Sequence, residues 1–323
     1  MYQIPNDNYT DFRVRMFAEY YGQKHSHNDS DVYNLRSLCL TGDKEEIIWI
    51  SFLYSTCYSV ATTALLFYFF PNIKSATPQR LEQFWSEYKP KLIFQSDRRW
   101  VKNLNKFIPI VESYKQKVQN SSQYDIVVSL INQSQTHLYK WFTSIYYCGR
   151  FSAMLFMEAV YGLLGLTLTQ EAYLSWNDCK TCAQGILVIY YLDELAGDID
   201  KFKGTKDLTK EQQQWLEQAL REIICYTENY LGYKTNFARV VGYLCSYFKL
   251  YKQTRYLEYY TDRRLEELIH YEKAFPQHAA LWKRLYDIRF TNVPHHILGE
   301  LNGWQGVRKE KCKQFVQQGV IYE

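Results

Sequence analysis

The feature that most constrains this chain is a run of 24 residues without a charge, "IIWISFLYSTCYSVATTALLFYFF", from Ile47 to Phe70. Its length matches a bilayer crossing. However, the run carries Ser51, Tyr54, Ser55, Thr56, Tyr58, Ser59, Thr62 and Thr63, no basic cluster flanks it, and Pro71 ends it. It therefore reads as the buried central helix of a soluble domain rather than a membrane span. Asp43 and Glu46 form a capping pair ahead of it.

Other stretches repeat the helical signal. Apolar residues recur with helical period in 10–23, 77–88, 97–117, 124–147, 149–164, 181–196, 209–231, 234–252 and 255–274. Thr77-Pro78 supplies an N-cap and a proline in the first turn. Thr209 with Gln212 repeats the capping pattern, and Thr291 or Asn292 can cap a helix starting near Pro294. Glycine and proline number 14 and 7 in 323 residues, well under the usual share of about 12%. Alternating segments that would build a sheet are missing. The expectation is an all-α fold: one large helical domain over 1–290, with a C-terminal helix-hairpin-helix-like element over 291–323 packed on it.

Composition narrows the setting. The N-terminus "MYQIPNDNYTDFRVR" has no apolar signal core. The eight cysteines are too few for a disulfide scaffold, and Cys179 and Cys182, the one close pair, lack a second pair to complete a zinc site. Reduced thiols in a cytoplasm are expected, with no metal and no membrane. Lys+Arg minus Asp+Glu is 38 − 34 = +4, so any positive surface for nucleic acid must be local. The 30 tyrosines suit either a core threaded with hydrogen bonds or a surface that stacks on bases.

Local positive charge occurs in "FQSDRRW" (94–100), and the "DRR" triplet returns at 262–264 in "YLEYYTDRRLEEL". Adjacent arginines repel, and their burial requires anions. Asp97 suits a helix N-terminus, whereas Arg98 and Arg99 in the first turn oppose the helix dipole. Amides and guanidinium groups together make a phosphate site; a surface Arg–Asp or Arg–Glu pair is the plainer alternative. In "YYCGRFSAMLF" (146–156), Gly149 breaks or joins two helices and Arg150 stands among apolar neighbours, so it needs an anion, carbonyls or a buried salt bridge.

Asn177 and Asp178 precede a helix and can cap it. Cys179 or Cys182 there is either a thiolate nucleophile or a small structural residue. Asp193, Glu194, Asp198 and Asp200 lack the spacing of a metal box and read as a solvated helix end. "LGELNGWQGVRKEKCKQFV" (298–316) reads as helix, a turn with Gly303 and Gly306, then a helix opening with Arg308, Lys309 and Lys311, which can grip a nucleic-acid phosphate.

Five stretches taken in order, "SFLYSTCYSVATTALLFYFFP", "KLIFQSDRRWVKNL", "YYCGRFSAMLF", "YLCSYFKLYKQTRYLEYYTDRRLEEL" and "LNGWQGVRKE", resemble the amino acid:DNA transferases of tailed bacteriophages. The resemblance runs from about residue 10 to 319. It implies an all-helical enzyme of the host cytoplasm, without a cofactor. The implied partners are DNA containing 5-phosphomethyluracil and a free amino acid, typically glycine, whose amine replaces the phosphate on the way to hypermodified thymidine that evades restriction. One departure is that the run before Gly185 is "NDCKTCAQG", where the family often carries arginine and histidine.

On this reading the arginines' anions are phosphates. The reaction needs cations for the departing phosphate, a base that keeps the amine neutral, a fork for the amino acid carboxylate and aromatic walls for an extruded base. The candidate anion binders are Arg98, Arg99, Arg150 and Arg263, and the candidate bases or arginine orienters are Asp97, Asp178 and Asp262. Gln95, Trp100, Gly149 and Tyr260 would face the substrate, and Gly303, Gly306, Arg308 and Lys309 the DNA backbone. Two rivals use the same sequence: a non-catalytic DNA-binding protein, and an all-α magnesium-dependent enzyme of terpene-synthase type that uses the acids near 193–200.

Overall fold

The structure, a computed structural model, describes residues 8–26, 31–39, 41–92, 104–168, 180–190, 208–252 and 259–292. These residues form fourteen α-helices and no strand; the fold is all-α. They gather into two compact units, one holding 8–26, 180–190 and 208–252, the other holding 31–39, 41–92, 104–168 and 260–292. The C-terminal hairpin expected beyond residue 290 lies almost wholly outside the described residues.

In the first unit, α1 (Asn8–Ser26) packs with α10 (Lys180–Tyr190), α11 (Lys210–Leu231) and α12 (Phe237–Tyr251). A Cβ added to Gly185 of α10 would stand 2.4 Å from the Leu244 carbonyl oxygen, so only glycine lets α10 and α12 approach this closely. Thr209 and Gln212 form the expected reciprocal capping box, and Gly232 ends α11 at φ +74. The Tyr21 hydroxyl accepts from Asn236 N at 3.0 Å, and the Tyr21 and Tyr243 rings meet edge to face at 5.2 Å.

The second unit contains α2 (Asp31–Arg36), α3 (Lys44–Cys57), α4 (Val60–Phe69), α5 (Pro78–Tyr88), α6 (Leu104–Val118), α7 (Gln123–Gln133), α8 (Gln135–Thr143), α9 (Arg150–Leu164), α13 (Tyr259–Ala274) and α14 (Ala279–Asn292). Helix α3 is central and packs on α4, α7 and α9. Its Phe52 ring stacks on Tyr114 at 4.0 Å, and Phe142 stacks on Phe156 at 4.3 Å. Trp49 Nε1 donates to Phe70 O at 2.7 Å, and the Tyr114 hydroxyl to Gln123 Oε1 at 2.8 Å. Here tyrosine supplies ring area and a satisfied polar tip together.

The charge-free run is largely buried, as expected, although Tyr68 near its end is exposed, and it is two helices. Tyr58 adopts φ +51, Ser59 is extended, and Ser59 Oγ caps α4 by accepting from Thr62 N at 3.1 Å. The expected helix over 124–147 also divides, at Ser134, whose side chain caps α8. Asp43 caps α3 through Glu45 N, whereas Glu46 accepts from Thr41 Oγ1, so the expected reciprocal pair is not formed. Thr291 and Asn292 end α14; the helix expected from near Pro294 lies outside the described residues. No helix among the described residues is long and apolar enough to cross a membrane.

Candidate functional site

Much of the expected site lies outside the described residues: Gln95, Asp97, Arg98, Arg99, Trp100, Asp178, Gly303, Gly306, Arg308 and Lys309. Gly149, Arg150, Tyr260, Asp262 and Arg263 fall within described helices or their caps, all in the second unit. Gly149 is the exposed N-cap of α9 with no capping side chain, and Arg150 is its first helical residue. Tyr260, Asp262 and Arg263 occupy the first turns of α13.

The break between α3 and α4 gathers these helices. Arg264 Nε of α13 donates to Asp31 Oδ1 of α2 at 2.5 Å, and the Tyr54 hydroxyl of α3 donates to Asp31 Oδ2, also at 2.5 Å. The Tyr54 ring lies 6.0 Å from that of Tyr58, and Tyr58 meets Phe151 of α9 edge to face at 5.5 Å. Ser59 Oγ donates to the buried Glu267 of α13 at 3.0 Å, and Thr62 Oγ1 shares a 2.6 Å hydrogen bond with the Tyr271 hydroxyl. Ser59 thus uses its oxygen to cap α4 and its proton to bond a buried acid, so the break in the helix becomes a hydrogen-bonded polar joint.

Electrostatics follow from burial. Burial, reinforced by the Asp31 charge, raises the Tyr54 phenol well above its ordinary pKa, so Tyr54 stays a donor to Asp31. Arg264 keeps about a quarter of its side chain exposed and Asp31 less. Arg263, one position away, pairs with Glu266 across a long 3.4 Å contact, with 41% and 42% of the two side chains exposed. Such a pair contributes little and is readily exchanged. The two arginines of this triplet are therefore unlike: a protein carboxylate holds Arg264, while Arg263 is the surface cation.

Sequence reasoning chose Arg263 and passed over Arg264, Asp31, Tyr54 and Glu267. A helical count contained part of the signal: Arg264 shares a stripe with Glu267, Leu268 and Tyr271, at steps of three, four and seven, and those three are buried. Cys182 is fully buried in α10, which suits packing rather than nucleophilic attack. Among the described residues, no group of three or more His, Cys, Asp or Glu could hold a metal ion.

Comparison with protein families, curated proteins and solved structures finds no match to this chain.

Proposed function

We propose that the chain is an amino acid:DNA transferase. It would replace the phosphate of 5-phosphomethyluracil in DNA with an amino acid, glycine first among them, joined through its amine. The observation that carries this reading is a convergence. Three of the five stretches that resemble the phage transferases supply Tyr54, Tyr58 and Ser59, then Phe151, then Arg264 and Glu267. These residues meet around one polar joint although up to 233 positions separate hydrogen-bonded partners within it.

In this reaction the bond between the C5-methylene and the phosphate oxygen breaks, and phosphate leaves with the electron pair. The amine lone pair then forms the new C–N bond, and the amine proton passes to a carboxylate. Arg98 and Arg99 would neutralise the departing phosphate, and Arg150 would assist from the start of α9. On α13, Arg263 is the cation an incoming anion can take from Glu266, because the exposed pair is weak. Asp97, Asp178 and Asp262 are the candidate bases, and Trp100 and Tyr260 the stacking residues. Gln95 and Gly149 would face the substrate, and the turn at Gly303 and Gly306 with Arg308 and Lys309 would hold the backbone. The setting would be the cytoplasm of an infected host.

The test incubates the protein with 5-phosphomethyluracil DNA and a pool of amino acids, then analyses nucleosides by mass spectrometry. An aminoacyl-thymidine is expected. DNA binding with unchanged nucleosides would leave a binding protein and remove the enzyme.

A further inference from the structure

The connection between α8 and α9 buries Ile145 and Cys148 but leaves Tyr146 and Tyr147 51% and 43% exposed. Their rings meet edge to face at 4.6 Å. The backbone beneath them is tied down: Tyr146 N donates to Ser113 Oγ and Cys148 N to Ile145 O, both at 3.0 Å. Tyr147 holds φ +57, a conformation uncommon for a bulky side chain. The Lys106 ammonium of α6 stands 5.0 Å from the Tyr147 ring centroid. Arg150 follows three residues later, within roughly 11 Å along the chain.

Two exposed rings on a tied-down backbone, with the Lys106 ammonium beside one of them, match a partner that offers flat π faces and negative charge. Nucleic acid provides both: a base stacks on a ring, and a phosphate meets the cation. An acidic peptide supplies the charge without the flat face, and an apolar partner supplies no negative charge. We propose that Tyr146 and Tyr147 form a stacking ledge for thymine bases of single-stranded or extruded DNA, with Lys106 on an adjoining phosphate. The choice of DNA rests on the transferase reading above; the ledge adds a surface that this reading did not require.

The probe is a labelled, unmodified oligothymidylate of about ten nucleotides, with binding followed by fluorescence anisotropy. In the double variant Tyr146→Ala/Tyr147→Asn, asparagine tolerates the left-handed backbone. The affinity should fall between about 5- and 150-fold for each stacked base lost, while Tyr146→Phe, which keeps the ring, should bind as the wild type does. A second measurement needs no variant: ultraviolet crosslinking of the wild-type protein to a 5-bromouracil oligonucleotide should place the adduct on the peptide that contains Tyr146 and Tyr147. A wild type that does not bind, a folded double variant with undiminished affinity, or crosslinks confined to other peptides would overturn the ledge. Loss of oligothymidylate binding in the variant, without any aminoacyl-thymidine formed by the wild type, would keep the ledge and remove the transferase. Product formation with normal binding by the variant would do the reverse.

Discussion

Asp31 and Arg264, 233 positions apart, meet at 2.5 Å, and the same carboxylate accepts the Tyr54 hydroxyl. Asp31→Asn therefore removes the countercharge of a partly buried guanidinium and weakens a buried phenol's acceptor. We expect a loss of about 2 kcal/mol, below the full cost of breaking a buried pair because Arg264 retains solvent access. Arg263→Met, one residue away, should stay within about 0.5 kcal/mol of wild type. Urea denaturation of both variants checks the distinction; equal losses would mean the two arginines are not divided between core and surface.

Glu45 of α3 caps the start of α7 from outside: its carboxylate accepts from Ser122 Oγ at 2.6 Å, Tyr124 N at 2.9 Å, and Gln123 Nε2 and N at 3.0 and 3.1 Å. Burial pushes the carboxyl pKa up, but the bonds from Ser122, Tyr124 and Gln123 outweigh it, and the net shift is downward. A lowered folded-state pKa stabilises fully above the unfolded carboxylate value of about 4.3, and that stability is lost as pH falls through the lower folded value. Glu45→Gln should cost about 1–3 kcal/mol at neutral pH. The gap between variant and wild type should narrow on acidification below about pH 4, measured by denaturation at several pH values.

Two glycines should respond oppositely. Gly185→Ala must displace the backbone of α12 at Leu244 and should cost about 2 kcal/mol or more. At Gly149, an added Cβ meets nothing within 4 Å, and the backbone is extended. Gly149→Asp adds a capping carboxylate at a helix N-terminus and should hold or slightly raise the melting temperature. The same charge should weaken DNA binding if phosphates approach here. Thermal melting with anisotropy separates the two effects; unchanged DNA affinity would take Gly149 out of the interface.

Local chemistry made some of this legible. Thr77 with Pro78, and Thr209 with Gln212, set helix starts that the structure reproduces, because a cap is a contact between residues near in sequence. The break at Tyr58 was not legible, since apolar residues continue on both sides and Ser59 looks like any other serine in that run; the break at Ser134 lies in the polar stretch "NQSQTH", a loop signal that the continuous helix expected over 124–147 ignores. Helix α2 is six residues long, too short for a periodic signal. The joint around Ser59, Glu267, Asp31 and Arg264 depends on pairings across most of the chain, which no local pattern encodes. Counting along α13 would have placed Arg264 inward, but only the fold identifies Asp31 as its anion.

If Arg98 or Arg99 receives the departing phosphate, lysine in its place keeps the charge and loses the planar fork. Turnover should fall about 10²–10³-fold, with DNA affinity and melting temperature nearly unchanged. Single-turnover rates on Arg98→Lys and Arg99→Lys decide this; stable variants with normal rates would shift the phosphate site to Arg150 and Arg263.

The most direct test of the proposed transferase activity follows both halves of the substitution in one reaction. With isotopically labelled glycine and 5-phosphomethyluracil DNA, the account predicts inorganic phosphate release matched, mole for mole, by label appearing in a thymidine nucleoside. Release should also depend on the amino acid supplied. Phosphate release without label in the nucleoside would indicate simple hydrolysis, and neither event in DNA-bound protein would indicate no chemistry; each result contradicts the account.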